Sequence, residues 1–226
     1  QGRAHVAFDD IRHFADEVLR HRALLNYDGQ AEGVQVAALV RKAVETLADL
    51  GAHVEEVDPG FKDPAECFRV LWFSGARSIL GQLPPEKKAL LDPALADVVE
   101  QAASITVQDV FDANRARGAL GTQMRLFMEK YDALLTPSLP IAAFGAGLLQ
   151  PADPDNRGKW VNWTPFTYPF NLTQQPAASV PCGFTAAGLP AGLHVIGRMF
   201  DDRTVLRISE AFEEATDFHK AVPAGF

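Results

Sequence analysis

Apolar residues recur every three or four positions between residues 33 and 50, which predicts a helix with one buried face. The apolar stripe of this helix consists of Val36, Leu39, Val40, Val44 and Leu47. Short apolar runs at 23–27 and 53–57 flank the segment and predict strands, and Gly51 provides a helix stop signal. A strand, a helix and a strand in this order indicate a βαβ unit with parallel strands.

The rest of the chain also alternates between helical and strand patterns. Further helices are predicted at 9–22, 63–79, 93–103, 107–131 and 202–215. Further strands are predicted at 132–136, 179–183 and 193–197, and the sequence Thr-Ala-Ala-Gly between the last two predicts a hairpin. In the last helix, the side chains expected to face inward are Val205, Leu206, Ser209 and Phe212. These elements place the chain in the α/β class.

Residues 137–162 form the one long stretch without sustained periodicity, and they contain four prolines. Loops of this length inside a domain are uncommon, and they are usually either functional or disordered. The sequence leaves both interpretations open.

Composition excludes several classes of function. The 226 residues carry a net charge of −8, which argues against a nucleic-acid partner because neutralising phosphates requires clustered Lys and Arg. No apolar run reaches the roughly 20 residues that a membrane helix needs. The two cysteines, Cys67 and Cys182, lie far apart in the sequence and indicate core thiols in a reducing, cytoplasmic compartment. A disulfide bond between them is the alternative that the sequence leaves open.

Residue types that often act in catalysis are present, but the sequence does not place an activating base or further metal ligands beside them. Ser138 and Ser179 lie at strand ends, but neither has a His, Lys or Asp nearby in sequence to act as a base. The six histidines lack the spacing of a metal site, and no glycine-rich phosphate loop precedes a helix. We therefore predict no catalytic residue, no cofactor site and no metal site.

The most aromatic part of the chain, residues 160–173, is the candidate binding segment. Thr164 can cap a short helix that begins at Pro165, and Val161, Thr164 and Tyr168 then project to similar sides. Such aromatic density lines small-molecule pockets, but it is equally typical of an ordinary core. Residue types alone favour the core.

Three runs in the second half change this picture: DALLTPSLPIAAF, WTPFTYPFNLTQQPAASVPCGF and GLPAGLHVIGR. In this order and spacing they resemble the C-terminal half of the amidase signature family. Upstream, ALLNY, VAALVRKAVETLADLGAHVEEVDPGF and FRVLWFSGA are similar to the middle section of the same family. The resemblance covers about residues 23–212. It divides the chain into an appended N-terminal helix (1–22) and the C-terminal part of an amidase-type α/β domain (23–226).

The resemblance implies a mixed β-sheet flanked by helices and an enzyme that hydrolyses carboxamides by acyl transfer to a serine. In the family, a second serine relays the proton of that nucleophile to a lysine, and all three residues belong to the N-terminal half. This sequence contains no Ser-Ser pair, so no family catalytic residue can be assigned to it.

The resemblance also implies that Thr164 and Tyr168 form part of the wall of the substrate pocket. Trp163 and Val161 come after these two as candidate contacts with the substrate. Relatives usually have glycine after Asn-Leu-Thr, where this chain has Gln174. Glycine there would suit tight packing or a positive φ. The run WTPFTYPF is more similar to general amidases than to the amidotransferase subunit that acts on charged transfer RNA.

The sequence therefore predicts the C-terminal portion of an amidase, which supplies pocket wall for a small amide and is inactive alone. The alternative is a complete, non-catalytic protein that binds a ligand or a partner. A half-sheet would expose an apolar edge and face, so we expect a homo-oligomer or association with a missing N-terminal half. Neither interpretation includes a membrane or nucleic-acid partner.

Overall fold

The computed structural model of the chain describes residues 5–7, 27–148, 151 and 163–222, with side chains from residue 34 onward. The helices are α1 (Tyr27–Asp49), α2 (Ala65–Leu80), α3 (Pro85–Lys88), α4 (Pro93–Gln101), α5 (Val107–Phe127), α6 (Tyr168–Thr173) and α7 (Asp202–Ala215). The strands are β1 (His5–Ala7), β2 (His53–Glu55), β3 (Ala133–Pro137), β4 (Ala177–Phe184) and β5 (Pro190–Gly197).

The five strands form one mixed sheet in the order β2-β1-β3-β5-β4. Strand β1 runs parallel to both β2 and β3. Strand β5 is antiparallel to β3 and to β4, and it forms the predicted hairpin with β4. The predicted α/β class and mixed sheet are thus confirmed.

Helices α1 and α7 cover one face of the sheet. The apolar stripe of α1 is buried except for Leu39, which is partly buried; Val40 is fully inaccessible, and the stripe packs with Phe212 of α7. Successive side chains of a strand point to opposite faces, so Ala133 and Leu135 of β3 join this cluster. The periodicity of the sequence therefore predicted the main core.

Helices α5 and α6 pack on the opposite face of the sheet. Leu134 of β3 and Ile196 of β5 point to this side and are almost completely buried. They pack with Met124 of α5 and with Phe170 of α6. This second face carries the predicted binding segment.

The first strand of the βαβ unit was predicted in the wrong place. Strand β1 pairs in parallel with β2, whereas Tyr27, the last residue of the predicted strand 23–27, begins α1. Residues 23–26 lie outside the described ranges, as does the predicted helix 9–22.

Two further predictions about helices were wrong. The helix expected at 107–131 ends at Phe127. In α7, Val205 is buried but Leu206 is 65% exposed, because neighbouring positions on a helix lie about 100° apart around its axis.

Within the described ranges, no helix combines the length and the apolar character needed to span a bilayer.

Candidate functional site

The segment from Trp163 to Thr173 lies over the second face of the sheet. A short helix was predicted to start at Pro165, but α6 starts at Tyr168, and Thr164 does not cap it. Pro169 has no N–H and cannot donate to the carbonyl of Pro165, so the predicted helix lacks that hydrogen bond. The Thr164 carbonyl accepts hydrogen bonds from the Thr167 N–H at 3.1 Å, which closes a turn, and from the Tyr168 N–H at 3.5 Å.

Tyr168 is fixed by two contacts with the α2 region. Its ring is 1% exposed and stacks on Phe68 with ring centroids 5.4 Å apart. Its hydroxyl donates a hydrogen bond to Oδ1 of Asp63, just before α2. Asp63 also lines a cavity of about 740 Å3 between α2 and α5. Tyr168 therefore connects the binding segment to a neighbouring helix pair.

Trp163 lies at the start of the segment, where its ring and the Phe144 ring are nearly perpendicular, with centroids 5.3 Å apart. Its indole Nε1 is buried and has no hydrogen-bond partner among the residues that the structure describes. A buried unpaired donor is unfavourable, and such groups often mark functional positions. Thr164 is half-buried beside it, whereas Val161 lies outside the described residues.

Beneath this segment, the sheet presents a buried histidine. His194 of β5 lies opposite Thr136 of β3, with 3.4 Å between the imidazole Nδ1 and the threonine Oγ1. The ring also bonds to the backbone of Phe166 and meets the Phe170 ring at 5.7 Å. Burial lowers the pKa of His194 from 6.5 to about 4. The imidazole is therefore neutral at pH 7.

Two serines complete this polar face. Ser179 of β4 lies opposite His194, and its hydroxyl is 2.6 Å from the hydroxyl of Ser138, which follows β3. Gly192 of β5 leaves room for both, because a Cβ there would lie 2.6 Å from the Ser179 Oγ and 2.7 Å from the Ser138 Oγ. The two hydroxyls thus bond to each other across the sheet.

This arrangement does not form a nucleophile activated by a base. Among the described residues, no serine hydroxyl bonds to a histidine or lysine side chain. The hydroxyl that contacts the His194 imidazole, at 3.4 Å, belongs to Thr136, which is 6% exposed. A histidine with a pKa of about 4 has little affinity for a proton at neutral pH, so it is a weak general base.

Gln174 ends α6 in the left-handed region, with φ 59° and ψ 32°. A glycine takes this conformation without the steric cost that a Cβ imposes. The resemblance to family members indicated this position, and the backbone shows why glycine suits it.

Sequence reasoning missed Asp63 and His194. No local pattern connects Asp63 to Tyr168, because the contact depends on how α2 packs. A signal for His194 did exist, since a simple register for the predicted hairpin pairs Ser179 with His194 on one face.

Both cysteines are free thiols, and Cys182 is 2% exposed. Burial raises its pKa to about 12, so this thiol is an inert part of the core.

The profile of the family named Amidase matches residues 28–206, which is most of the chain. The chain belongs to the amidase family. An acylamidase of Rhodococcus erythropolis is 32% identical over 195 residues, covering 84% of this chain and 41% of that protein. The glutamyl-tRNA(Gln) amidotransferase of Geobacillus sp. (strain WCH70) has a subunit that is 40% identical over 223 residues, covering 88% of this chain and 45% of that protein.

Solved structures support the same fold. A 6-aminohexanoate cyclic dimer hydrolase matches 98% of this chain with a TM-score of 0.74, at 19% identity and over 46% of its own length. A bacterial aryl acylamidase of the amidase signature family matches 82% of this chain with a TM-score of 0.63, at 28% identity and over 41% of its own length. The amidase chain therefore spans less than half the length of these relatives.

Proposed function

We propose that this chain forms the substrate-pocket wall of an amidase that hydrolyses a small carboxamide by acyl transfer to a serine. The buried indole N–H of Trp163, which has no hydrogen-bond partner among the described residues, carries the proposal. An amide substrate offers a carbonyl acceptor, and a preplaced donor in an apolar aromatic setting would bind and orient it. Family membership supplies the reaction class.

Within this wall, Trp163 and Thr164 contact the substrate, and Val161 precedes them in the chain. Tyr168 has a positioning role, because its ring and its hydroxyl are already engaged by Phe68 and Asp63. The serine nucleophile, its relay serine and the lysine base belong to a polypeptide segment that this sequence does not contain. The 226 residues alone therefore bind an amide without cleaving it.

Binding can be tested at the Trp163 indole. The chain has three tryptophans, so a sample labelled with 15N-tryptophan gives three indole signals, and Trp163→Phe identifies the one of interest. Acetanilide should shift this signal downfield saturably. N-ethylaniline, which lacks the carbonyl acceptor, is the matched control and should not. Equal shifts with both ligands, or no shift with acetanilide, would contradict the proposed role of Trp163.

Catalytic inactivity is tested separately. The purified chain is incubated with acetanilide and with a fluorophosphonate, which labels activated serines. We expect no aniline release and no labelled serine by peptide mass spectrometry. Hydrolysis that the fluorophosphonate abolishes would show that this chain carries its own nucleophile, whatever the indole experiment gives.

The second candidate is a complete, non-catalytic ligand-binding protein. The mutual hydrogen bond of Ser138 and Ser179 favours it, because the two hydroxyls bond to each other and neither bonds to a basic side chain among the described residues. The upstream genomic reading frame distinguishes the two functions. A frame that continues into a Gly/Ser-rich segment supports the amidase, and a start codon near residue 1 supports the binding protein.

The setting of the chain is also proposed. Both thiols are free, which fits a reducing cytoplasm. Phe111 is 62% exposed and Leu90 is 84% exposed, which favours a homo-oligomer or a bound polypeptide that supplies the catalytic half. Sedimentation of the purified chain should show a species larger than a monomer, and a monomer at all concentrations would exclude the homo-oligomer.

A further inference from the structure

A cavity of about 330 Å3 lies between α5 and the residues that follow α6 and β5. All three methionines of the chain line it: Met124, Met128 and Met199. Met124 and Met128 are 1% and 2% exposed and form its floor, whereas Met199 is 43% exposed at its edge. Thioether side chains are polarizable and adaptable, and they make favourable contacts with aromatic rings.

Phe200 also lines this cavity and is 89% exposed, so its ring stands at the rim. The Asp201 N–H bonds to the Arg198 carbonyl at 3.0 Å and closes a turn in which Phe200 is the third residue. Its φ is 67°, and a positive φ at that position normally selects glycine. The chain thus holds a large aromatic ring at the rim at the cost of backbone strain.

The second strained residue lies at the same place. Within the described residues, Gln174 and Phe200 are the non-glycine residues with positive φ. Gln174 lies between Thr173 and Gln175, which both line the cavity. Strain of this kind concentrates at ligand clamps and active sites. Its coincidence at one cavity points to a function for that cavity.

The polar groups around the cavity already have partners within the chain. Nε of Arg198 donates to the carbonyls of Met128 and Tyr131, and Nε2 of Gln175 donates to the carbonyl of Gly197. At the rim, Arg125 pairs with Glu129. A ligand therefore gains little from charge and gains most from filling the apolar space.

This cavity is distinct from the proposed amide site. Neither Trp163 nor Thr164, the proposed amide contacts, lines it. The cavity adjoins Arg198, just past the end of β5, whereas the Ser138–Ser179 pair on the polar face beneath the amide segment meets Gly192 near the start of that strand. Arg198 is six residues beyond Gly192 along the chain, which is about 20 Å at 3.4 Å per residue.

We propose that this cavity binds the neutral aromatic ring of a free small molecule between the methionine thioethers and Phe200. The volume of about 330 Å3 lies within the usual range of ligand pockets and accommodates one or two fused rings. A ring that covers Phe200 also removes its exposed face from water.

Indole is a suitable probe, and the three methionine methyl groups report on it directly. In a sample labelled with 13C-methyl-methionine, we expect indole to shift all three methyl signals with one common saturation curve. Absence of saturable shifts at the three methyls would overturn the proposal. Shifts that appear when the protein is concentrated without indole, and that indole leaves unchanged, would also overturn it in favour of a second copy of the chain.

Two glycines of α5 provide a matched pair of variants. A Cβ at Gly121 or at Gly118 would meet no atom within 4 Å, but only Gly121 lines the cavity. Gly121→Leu should fill the cavity and weaken indole binding at least about tenfold, whereas Gly118→Leu should leave it unchanged. Both variants should unfold at no lower urea concentration than the parent, because glycine weakens a helix interior. Equal affinity in the two variants would overturn the assignment of the site.

Discussion

The hydroxyl of Tyr168 donates a hydrogen bond to Oδ1 of Asp63, although the two residues lie 105 positions apart in the chain. The contact ties α6 to the start of α2, and the stacking of Tyr168 on Phe68 supports it from the same side. The position of the proposed substrate segment therefore depends on α2 as well as on the sheet below.

Tyr168→Phe should lower the free energy of unfolding by about 1–2 kcal/mol, because it removes a hydrogen bond to a carboxylate and leaves the ring in place. Asp63→Asn keeps an acceptor at the same position and should cost less. Urea unfolding of both variants measures the difference. If Asp63→Asn costs as much as Tyr168→Phe, then the charge of Asp63 and not the hydrogen bond carries the stability.

His194 should make the protein sensitive to acid. Its pKa is 6.5 in an unfolded chain and about 4 in the folded one. Between these values the unfolded chain binds a proton that the folded chain does not, so stability is complete above pH 6.5 and falls as the pH drops to about 4. The two pKa values correspond to a loss of about 3 kcal/mol, at ~1.4 kcal/mol per pH unit.

The control for this effect is His194→Gln, which keeps a polar side chain that does not titrate. Urea unfolding at pH 7 and at pH 4 should show a loss for the parent that exceeds the loss for the variant by about 3 kcal/mol. Equal losses would mean that carboxylates elsewhere, and not His194, dominate the acid response.

The helices and strands that could be predicted are those whose own sequence shows a clear hydrophobic or turn pattern. The apolar stripe of α1 and the hairpin of β4 and β5 were predicted in this way. Strand β1 was not, since its three residues have no distinctive pattern and it pairs with strands that lie far along the chain. Pairing of that kind is determined by tertiary context and not by local propensity.

The site was predictable only in part, for a similar reason. The aromatic run drew attention to Trp163 and Tyr168, but residue types did not distinguish pocket from core. The structure separates the two residues by their contacts: the Tyr168 hydroxyl bonds to Asp63, whereas the Trp163 indole N–H has no partner within the described residues. Both outcomes depend on residues from other parts of the chain.

Gly192 should tolerate no side chain. Gly192→Ala places a Cβ within 2.7 Å of both serine hydroxyls and should cost about 1–3 kcal/mol, as overpacked substitutions do. Gly145→Ala is the control, because its Cβ would meet only Leu148, at 3.5 Å or more. Removing both hydroxyls by Ser138→Ala with Ser179→Ala should recover part of the loss. If urea unfolding shows that the double serine substitution recovers none of the lost stability, the new Cβ does not clash with the two hydroxyls.

Gln174 offers the opposite prediction, a substitution that stabilises. Its left-handed backbone at the end of α6 costs a residue with a Cβ about 1–2 kcal/mol, and the extra freedom of glycine in the unfolded chain cancels part of that. Gln174→Gly should therefore raise the free energy of unfolding by about 1 kcal/mol. Gln174→Ala keeps the Cβ and should change little. Urea unfolding in which alanine stabilises as much as glycine would show that the glutamine side chain, and not the backbone, is the source of the cost.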